Sequence, residues 1–263
     1  MKLSIIGAGN MGGAIARGLA KNPAFKPSDI CCSDRSEEAL AKIQEANPAI
    51  RITTDNREAV KKADWVLLAV KPWLAQEVIS EIKSELNYGQ HLIISIMAGV
   101  TFESLEQFLA KEDGQKPSLF RMIPNTAVDV QSGVVFIAAK NATDGQIRDV
   151  VQTFDALGLT LLIEERLMGA GTSLASCGIA YAFRYIRAAM EGGVELGFYP
   201  EQAKQIVMQT LKGAVALLQA NGTHPETEID KVTTPGGITI KGLNEMEHAG
   251  FTSAVIKGLK ASI

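Results

Sequence analysis

The sequence predicts an α/β protein: an N-terminal Rossmann-type, doubly wound parallel sheet followed by an all-α C-terminal domain. Three observations predict it. Short apolar runs alternate with segments of helical period from Lys2 to about Ile163, a glycine-rich turn directly follows the first run, and beyond Ile163 the strand signal stops. The runs KLSII, ICCS, WVLLAV, HLIISIM, SLFRMI, VVFIAA and LTLLI read as strands of a sheet buried on both faces. Between them MGGAIARGLAK, SEEALAKIQEA, WLAQEVISEIKSEL, TFESLEQFLAK and TDGQIRDVVQTFDAL have helical periodicity, and several open on Ser or Thr in capping position. This divides the chain into a Rossmann-type domain over 1–163 and a helical domain over 164–263.

In the second part, Leu174 to about Leu196 reads as one helix of roughly 35 Å, stopped by Gly197 and Pro200, with the next helix ending at Asn221-Gly222. Ala175, Ala180, Ala182, Ala188 and Ala189 leave the first of these helices small or apolar around most of its circumference, so it is expected to be buried. About one hundred residues of helix do not easily surround it. Burial against a second copy, a homodimer or larger, is the expectation; burial under its own N-terminal domain is the alternative.

Composition narrows the partners. A net charge of −3 without a sustained run of Lys or Arg gives no footprint for nucleic acid or an anionic membrane. The N-terminus, MKLSIIGAGNMGG, turns glycine-rich too soon for a signal peptide or a spanning helix, and the expected location is cytoplasmic. The odd cysteine count, with Cys31 and Cys32 adjacent, argues against a disulfide framework. His91, His224 and His248 have no ligand spacing, so no metal is expected.

The sequence Gly7-Ala8-Gly9-Asn10-Met11-Gly12 lies between strand and helix. Gly7 suits a tight turn, Gly9 lets the backbone approach a pyrophosphate, and Gly12 allows close packing of the helix, whose N-terminal amides attract an anion. At the end of the second strand, Asp34 lies about 20 residues beyond Gly12, where a ribose-binding carboxylate belongs. If the strand ends at Ser33, however, Ser33 takes that position and Arg35 faces a 2′-phosphate. Arg pairs well with phosphate, so NADP is favoured, with NADH use left open. Ala69-Val70-Lys71-Pro72 follows a strand at the same edge; Lys71 either touches the cofactor or starts a loop. Asn125-Thr126, after Arg121-Met122-Ile123-Pro124, offers polar donors there or forms a turn.

The order of GAGNMG, AVKP, MIPNT, a long helix containing AY, and TTPGGITIKGL closely resembles the pyrroline-5-carboxylate reductase family, which carries out the last step of proline synthesis. The likeness runs through EHAGFTSAVIKGL, and its most specific element is the loop Pro235-Gly236-Gly237-Ile238-Thr239. One departure is the segment Ala175-Ser176-Cys177-Gly178-Ile179-Ala180-Tyr181, where the family usually reads Ser-Gly-Ser-Gly-Pro-Ala-Tyr. The resemblance implies cofactor contacts at Asn56 and around Met97-Ala98, beside those of Gly7, Gly9, Asn10, Met11, Gly12, Ser33, Arg35 and Ala69 to Pro72. It also implies substrate contacts at Glu165, Ile238 and Thr239, and a helical domain serving dimerisation and substrate binding. On this reading Thr234 and the Gly236 and Gly237 amides hold the carboxylate of 1-pyrroline-5-carboxylate, while the Thr239 hydroxyl meets its ring nitrogen. Two rivals fit less well. A hydroxyacid dehydrogenase of similar layout uses a Lys on the long helix, and 174–196 holds only Arg184 and Arg187 as cations. A non-catalytic dinucleotide sensor has no use for the Pro-Gly-Gly-x-Thr loop.

Overall fold

The computed structural model describes residues 1–23 and 25–263. The chain divides into two compact units, Met1–Ser176 and Cys177–Ile263.

The first unit is built on one sheet in the order β3-β2-β1-β4-β5-β6-β7-β8. Its strands are β1 (Leu3–Ile6), β2 (Ile30–Ser33), β3 (Arg51–Thr53), β4 (Trp65–Leu68), β5 (Leu92–Ser95), β6 (Ser118–Pro124), β7 (Gly133–Lys140) and β8 (Gly158–Leu162). Strands β1 to β6 are parallel, as the buried apolar runs predict. Strand β7 departs from that expectation: it runs antiparallel to β6, and β8 follows β7 in parallel. The link from Pro124 to Gly133 holds only a 3₁₀ turn, Thr126–Val130. A parallel return needs a crossover of a dozen or more residues, so this short link forces a reversal.

Helices α1 (Asn10–Ala20), α2 (Glu37–Ala46), α3 (Asn56–Lys61), α4 (Ala75–Ile82), α5 (Phe102–Leu109), α6 (Asp144–Phe154) and the short α7 (Met168–Gly171) complete this unit. The expected caps are present: Ser36, Thr101 and Thr143 accept hydrogen bonds from Ala39, Ser104 and Gln146 amides, and Gln146 closes a capping box. Alternate strand residues feed two separate cores. Ile5, Leu67 and Ile94 join one with Ile15, Leu19 and Phe154, while Ile6, Leu68 and Ile93 join the other with Ile79, Ile82 and Leu105. Residues 165–176, although beyond the last strand, still pack on the sheet. Met168 is buried there, and a side chain on Gly171 would begin 2.8 Å from the Phe136 ring. The thiols of Cys31 and Cys32 are buried, and burial pushes Cys32 up to about 12, so it serves as a small apolar filler.

The second unit holds α8 (Gly178–Glu195), α9 (Pro200–Asn221), α10 (Pro225–Val232), α11 (Ile238–His248) and α12 (Phe251–Lys260). The long helix expected from Leu174 starts instead at Gly178, preceded by a π-helical segment, Thr172–Cys177. None of the α8 residues is buried within the chain, contrary to its apolar circumference, and among the described residues of this unit only Ala203 is. Phe183, Leu196, Met208, Val215 and Leu217 are all more than half exposed. Among the described residues no helix is long and apolar enough to cross a membrane.

His91 starts the fifth strand from inside the fold. Its Nδ1 accepts from the Asn87 amide at 2.8 Å, and burial holds the imidazole below its usual 6.5, with Lys111 adding to the effect and the Ala63 carbonyl and Asp64 opposing it. Between that lowered value and 6.5 the unfolded chain binds the extra proton. Stability is therefore complete above about pH 6.5 and is expected to fall as pH drops below it, by at most about 1.4 kcal/mol per unit. Denaturant titrations of wild type and His91→Gln across this range check it: the variant loses this part of the slope, and parallel slopes refute the assignment.

Candidate functional site

Register places the first part of the site. Ile6, Ser33, Leu68 and Ser95 form one row across β2, β1, β4 and β5. The chain segments that leave these four strands therefore emerge together at the carboxyl edge of the sheet, where open α/β sheets bind ligands.

Leaving β1, Gly7 takes φ +104°, and a side chain there would begin 2.7 Å from the Ala69 carbonyl oxygen. A Cβ on Gly12 would fall 2.0 Å from the Gly7 oxygen. Both glycines are thus required by packing of backbone against backbone. Gly9 differs: nothing lies within 4 Å of a Cβ added to it. It occupies the N-cap of α1 without a capping side chain, and the first helical bond runs from Gly13 N–H to its carbonyl at 2.8 Å. The amides of Asn10, Met11 and Gly12 precede that bond and so lack an intrahelical acceptor. Bare amides, the positive end of the helix and open space at Gly9 fit the pyrophosphate of a dinucleotide. A cleft of about 330 Å³ adjoins them, lined in part by Ala8, Gly9, Asn10, Arg17, Ser36 and Lys42.

Leaving β2, the Asp34 carboxylate accepts from the Ala8 amide at 2.7 Å and the Ser36 amide at 2.9 Å. Asp34 thereby ties the glycine turn to the β2–α2 loop. Ser33 is fully buried, and its hydroxyl donates to Asn56 Oδ1. Asn56 Nδ2 donates to Glu81 at 2.9 Å. Ser33 and Asn56 are thus brought together, with Ser33 inside as the holder of the Asn56 amide. Arg35 is exposed, and its guanidinium lies 3.9 Å from the Glu77 carboxylate, a pair too loose and too wet to fix it.

Beyond β4, Lys71 is exposed and precedes a 3₁₀ turn, Pro72–Leu74, with Pro72 at its first position. Beyond β5, Met97 is buried while Ala98 and Gly99 reach the surface. Asn125 resolves as the turn former: its side-chain oxygen accepts from the Ala127 and Val134 amides and its nitrogen donates to the Ala175 carbonyl. It is buried, and these bonds are those of a turn. Glu165 Oε1 accepts from Arg121 Nη1 at 2.7 Å and from the Phe102 amide at 2.8 Å. The buried Arg121 guanidinium and the N-terminus of α5 together orient this carboxylate. Neither the Arg121 partner nor the Glu81 partner was legible, because each pairing joins segments with no fixed sequence spacing.

In the helical unit, Thr234-Pro235-Gly236-Gly237 forms a turn closed by the Gly237 amide on the Thr234 carbonyl at 2.9 Å, with Gly236 at φ +70°. Pro second and a left-handed Gly third are the residues a type II turn demands. This revises one expectation: the Gly237 amide closes the turn, so it is not free for a substrate. Gly237 is also the N-cap of α11 and contributes no capping side chain. The first-turn amides of Ile238 and Thr239 are consequently bare. Thr239 and Ile238 are exposed, the latter at 87%, and Thr239 lies inside the helix instead of capping it.

A family model described as pyrroline-5-carboxylate reductase dimerisation matches residues 165–263. Another, described as NADP oxidoreductase coenzyme F420-dependent, matches residues 2–99. Pyrroline-5-carboxylate reductase 2 of Dictyostelium discoideum is 36% identical over 99% of this chain and 90% of its own length. The reductase of Methanosarcina acetivorans is 36% identical over 99% and 96%. Against reductase 1 of Dictyostelium discoideum, also 36% identical, the chain spans about half, 48%, of that protein's length. Among solved structures, Plasmodium falciparum pyrroline carboxylate reductase with NADP bound superposes with a TM-score of 0.88 at 28% identity, covering 100% of this chain and 95% of that one. The Coxiella burnetii pyrroline-5-carboxylate reductase gives 0.89 at 30%, covering 99% and 95%.

Proposed function

The chain belongs to the pyrroline-5-carboxylate reductase family, and we propose how its own residues serve that family's reaction. The reaction is the NAD(P)H-dependent reduction of the cyclic imine 1-pyrroline-5-carboxylate to L-proline. The observation that carries the reading is the run of 36% identity along 99% of the chain, sheet and helical segment alike. A dinucleotide sensor accounts for the first unit but leaves the Pro-Gly-Gly-x-Thr turn of the second without a use.

When bound, the reduced dinucleotide supplies a hydride to the imine carbon; the protein's part is binding, orientation and charge. Gly7, Gly9, Asn10, Met11 and Gly12 offer backbone to the pyrophosphate. Arg35 reads the 2′-phosphate, which makes NADPH the preferred form, and Ser33 fixes Asn56 beside it. Ala69 to Pro72 and Met97-Ala98 line the same edge. In the second unit, the Gly236 amide and the bare first-turn amides of α11 at Ile238 and Thr239, with the Thr234 hydroxyl, hold the substrate carboxylate, and the Thr239 hydroxyl hydrogen-bonds the ring nitrogen. The protonated imine is already electrophilic, so no strong protein acid is required; Glu165, oriented by Arg121, favours the iminium over the neutral imine. The exposed faces of α8 and α9 pack on a second copy as a homodimer, consistent with the dimerisation segment matched over 165–263.

Three outcomes test these roles. Arg35→Ser is expected to weaken NADPH binding by about 1.5–3 kcal/mol more than it weakens NADH binding by calorimetry; equal losses rule out reading of the phosphate. Ala182→Glu buries an unpaired carboxylate between copies and is expected to yield monomers by light scattering; an unaltered dimer, or a monomeric wild type with full activity, removes the helical interface. Thr239→Val is expected to lower kcat by a factor of roughly ten to a thousand, with Thr239→Ser close to wild type and thermal stability unchanged in both. Wild-type turnover by the Val variant excludes the hydroxyl from catalysis.

A further inference from the structure

We infer that Trp73 forms one wall of the adenine site, its indole covering the purine ring of the dinucleotide from the side opposite Arg35. The inference rests on the dinucleotide reading of this sheet edge and adds a residue to which no role has been given.

Trp73 is 76% exposed, the largest apolar surface displayed near the strand ends. An indole offers a large flat π-face for stacking beside its apolar area. The chain around it is helical without a break, because the 3₁₀ turn Pro72–Leu74 runs directly into α4. Ala75, Val78 and Ile79 are buried while Trp73, Gln76, Glu77 and Ser80 are exposed, so Trp73 and Glu77 share one face at an interval of four residues. Glu77 reaches to within 3.9 Å of Arg35. The face that carries Trp73 is therefore turned toward the exit of β2, and Trp73 sits one turn nearer the strand ends than Glu77 does.

Adenosine binds at this place in sheets of this topology, over the end of the second strand. The two groups flanking the position are suited to a flat π-system: an indole on one side and a planar guanidinium on the other. The Arg35–Glu77 pair is exposed on both sides, so opening it to admit a ring costs little. Arg35 then stacks with its plane and pairs with the phosphate through its edge, while Trp73 supplies the apolar area that Arg35 lacks.

Adenine is common to both dinucleotides, which separates this wall from the phosphate contact. Calorimetry with Trp73→Leu is expected to raise the Kd of NADPH and NADH by the same factor, roughly five- to a hundredfold, whereas Trp73→Phe keeps most of the affinity. The protein has two tryptophans, and Trp65 is 9% exposed within β4. Adenosine 2′,5′-bisphosphate is accordingly expected to quench the indole emission of wild type, to leave Trp73→Phe unquenched, and to be more effective than nicotinamide mononucleotide. Equal Kd values for wild type and Trp73→Leu overturn the inference and leave the proposed function standing. Quenching by the nicotinamide fragment alone overturns the adenine assignment. A wild type that binds neither dinucleotide overturns the proposed function and the inference with it.

Discussion

The close approach of three stretches of backbone at the end of β1 is the constraint on which the first unit depends. The Gly7 oxygen occupies the place where a side chain on Gly12 would begin, and the Gly7 α-carbon faces the Ala69 carbonyl across the sheet edge. Because no Cβ intervenes, α1 starts immediately at the strand end and points its unsatisfied amides over the sheet. The Asp34 carboxylate then joins this turn to the loop after β2 through the Ala8 and Ser36 amides. A larger residue at Gly7 or Gly12 displaces the helix, and with it the whole edge.

Around this joint, polar side chains divide into those that hold and those that are offered. Ser33, Asp34 and Asn125 are engaged by neighbouring backbone or side chains. Gly9, Asn10, Arg35, Lys71 and Ala98 reach the surface. The same division recurs at the turn before α11, where Gly237 closes the loop and Thr239 stands clear. Chemistry that depends on hydroxyls and bare amides, with no acid or base poised between protonation states, needs this kind of rigid presentation. The two units also meet different needs for burial. The sheet encloses two cores of its own, while the helices leave large apolar residues exposed within the chain.

Much of this was legible because it is local. Apolar runs four to seven residues long marked most strands, and Ser36, Thr101 and Thr143 marked helix starts through bonds spanning three residues. Strand β3 was not: Arg51–Thr53 is three residues with no buried side chain, so it leaves no apolar run. Helix α3 is only six residues long, and its cap, Asp55, lies in a polar stretch. The reversal at β7 was masked because its residues have the same composition as those of a parallel strand; only the length of the link before it distinguishes the two.

The sequence by itself determined the order of most strands and helices, the glycine turn, the Pro-Gly-Gly turn and the family to which the chain belongs, since each rests on neighbours along the chain or on motif order. Only the tertiary structure decided that Asp34 faces the turn, that Ser33 reaches Asn56, that Arg121 holds Glu165, and that Trp73 shares a helix face with the partner of Arg35. Each of these depends on which distant segment a side chain meets once the strands are in register, and hydrogen-bond partners separated by 23 to 44 residues carry no spacing that periodicity could reveal.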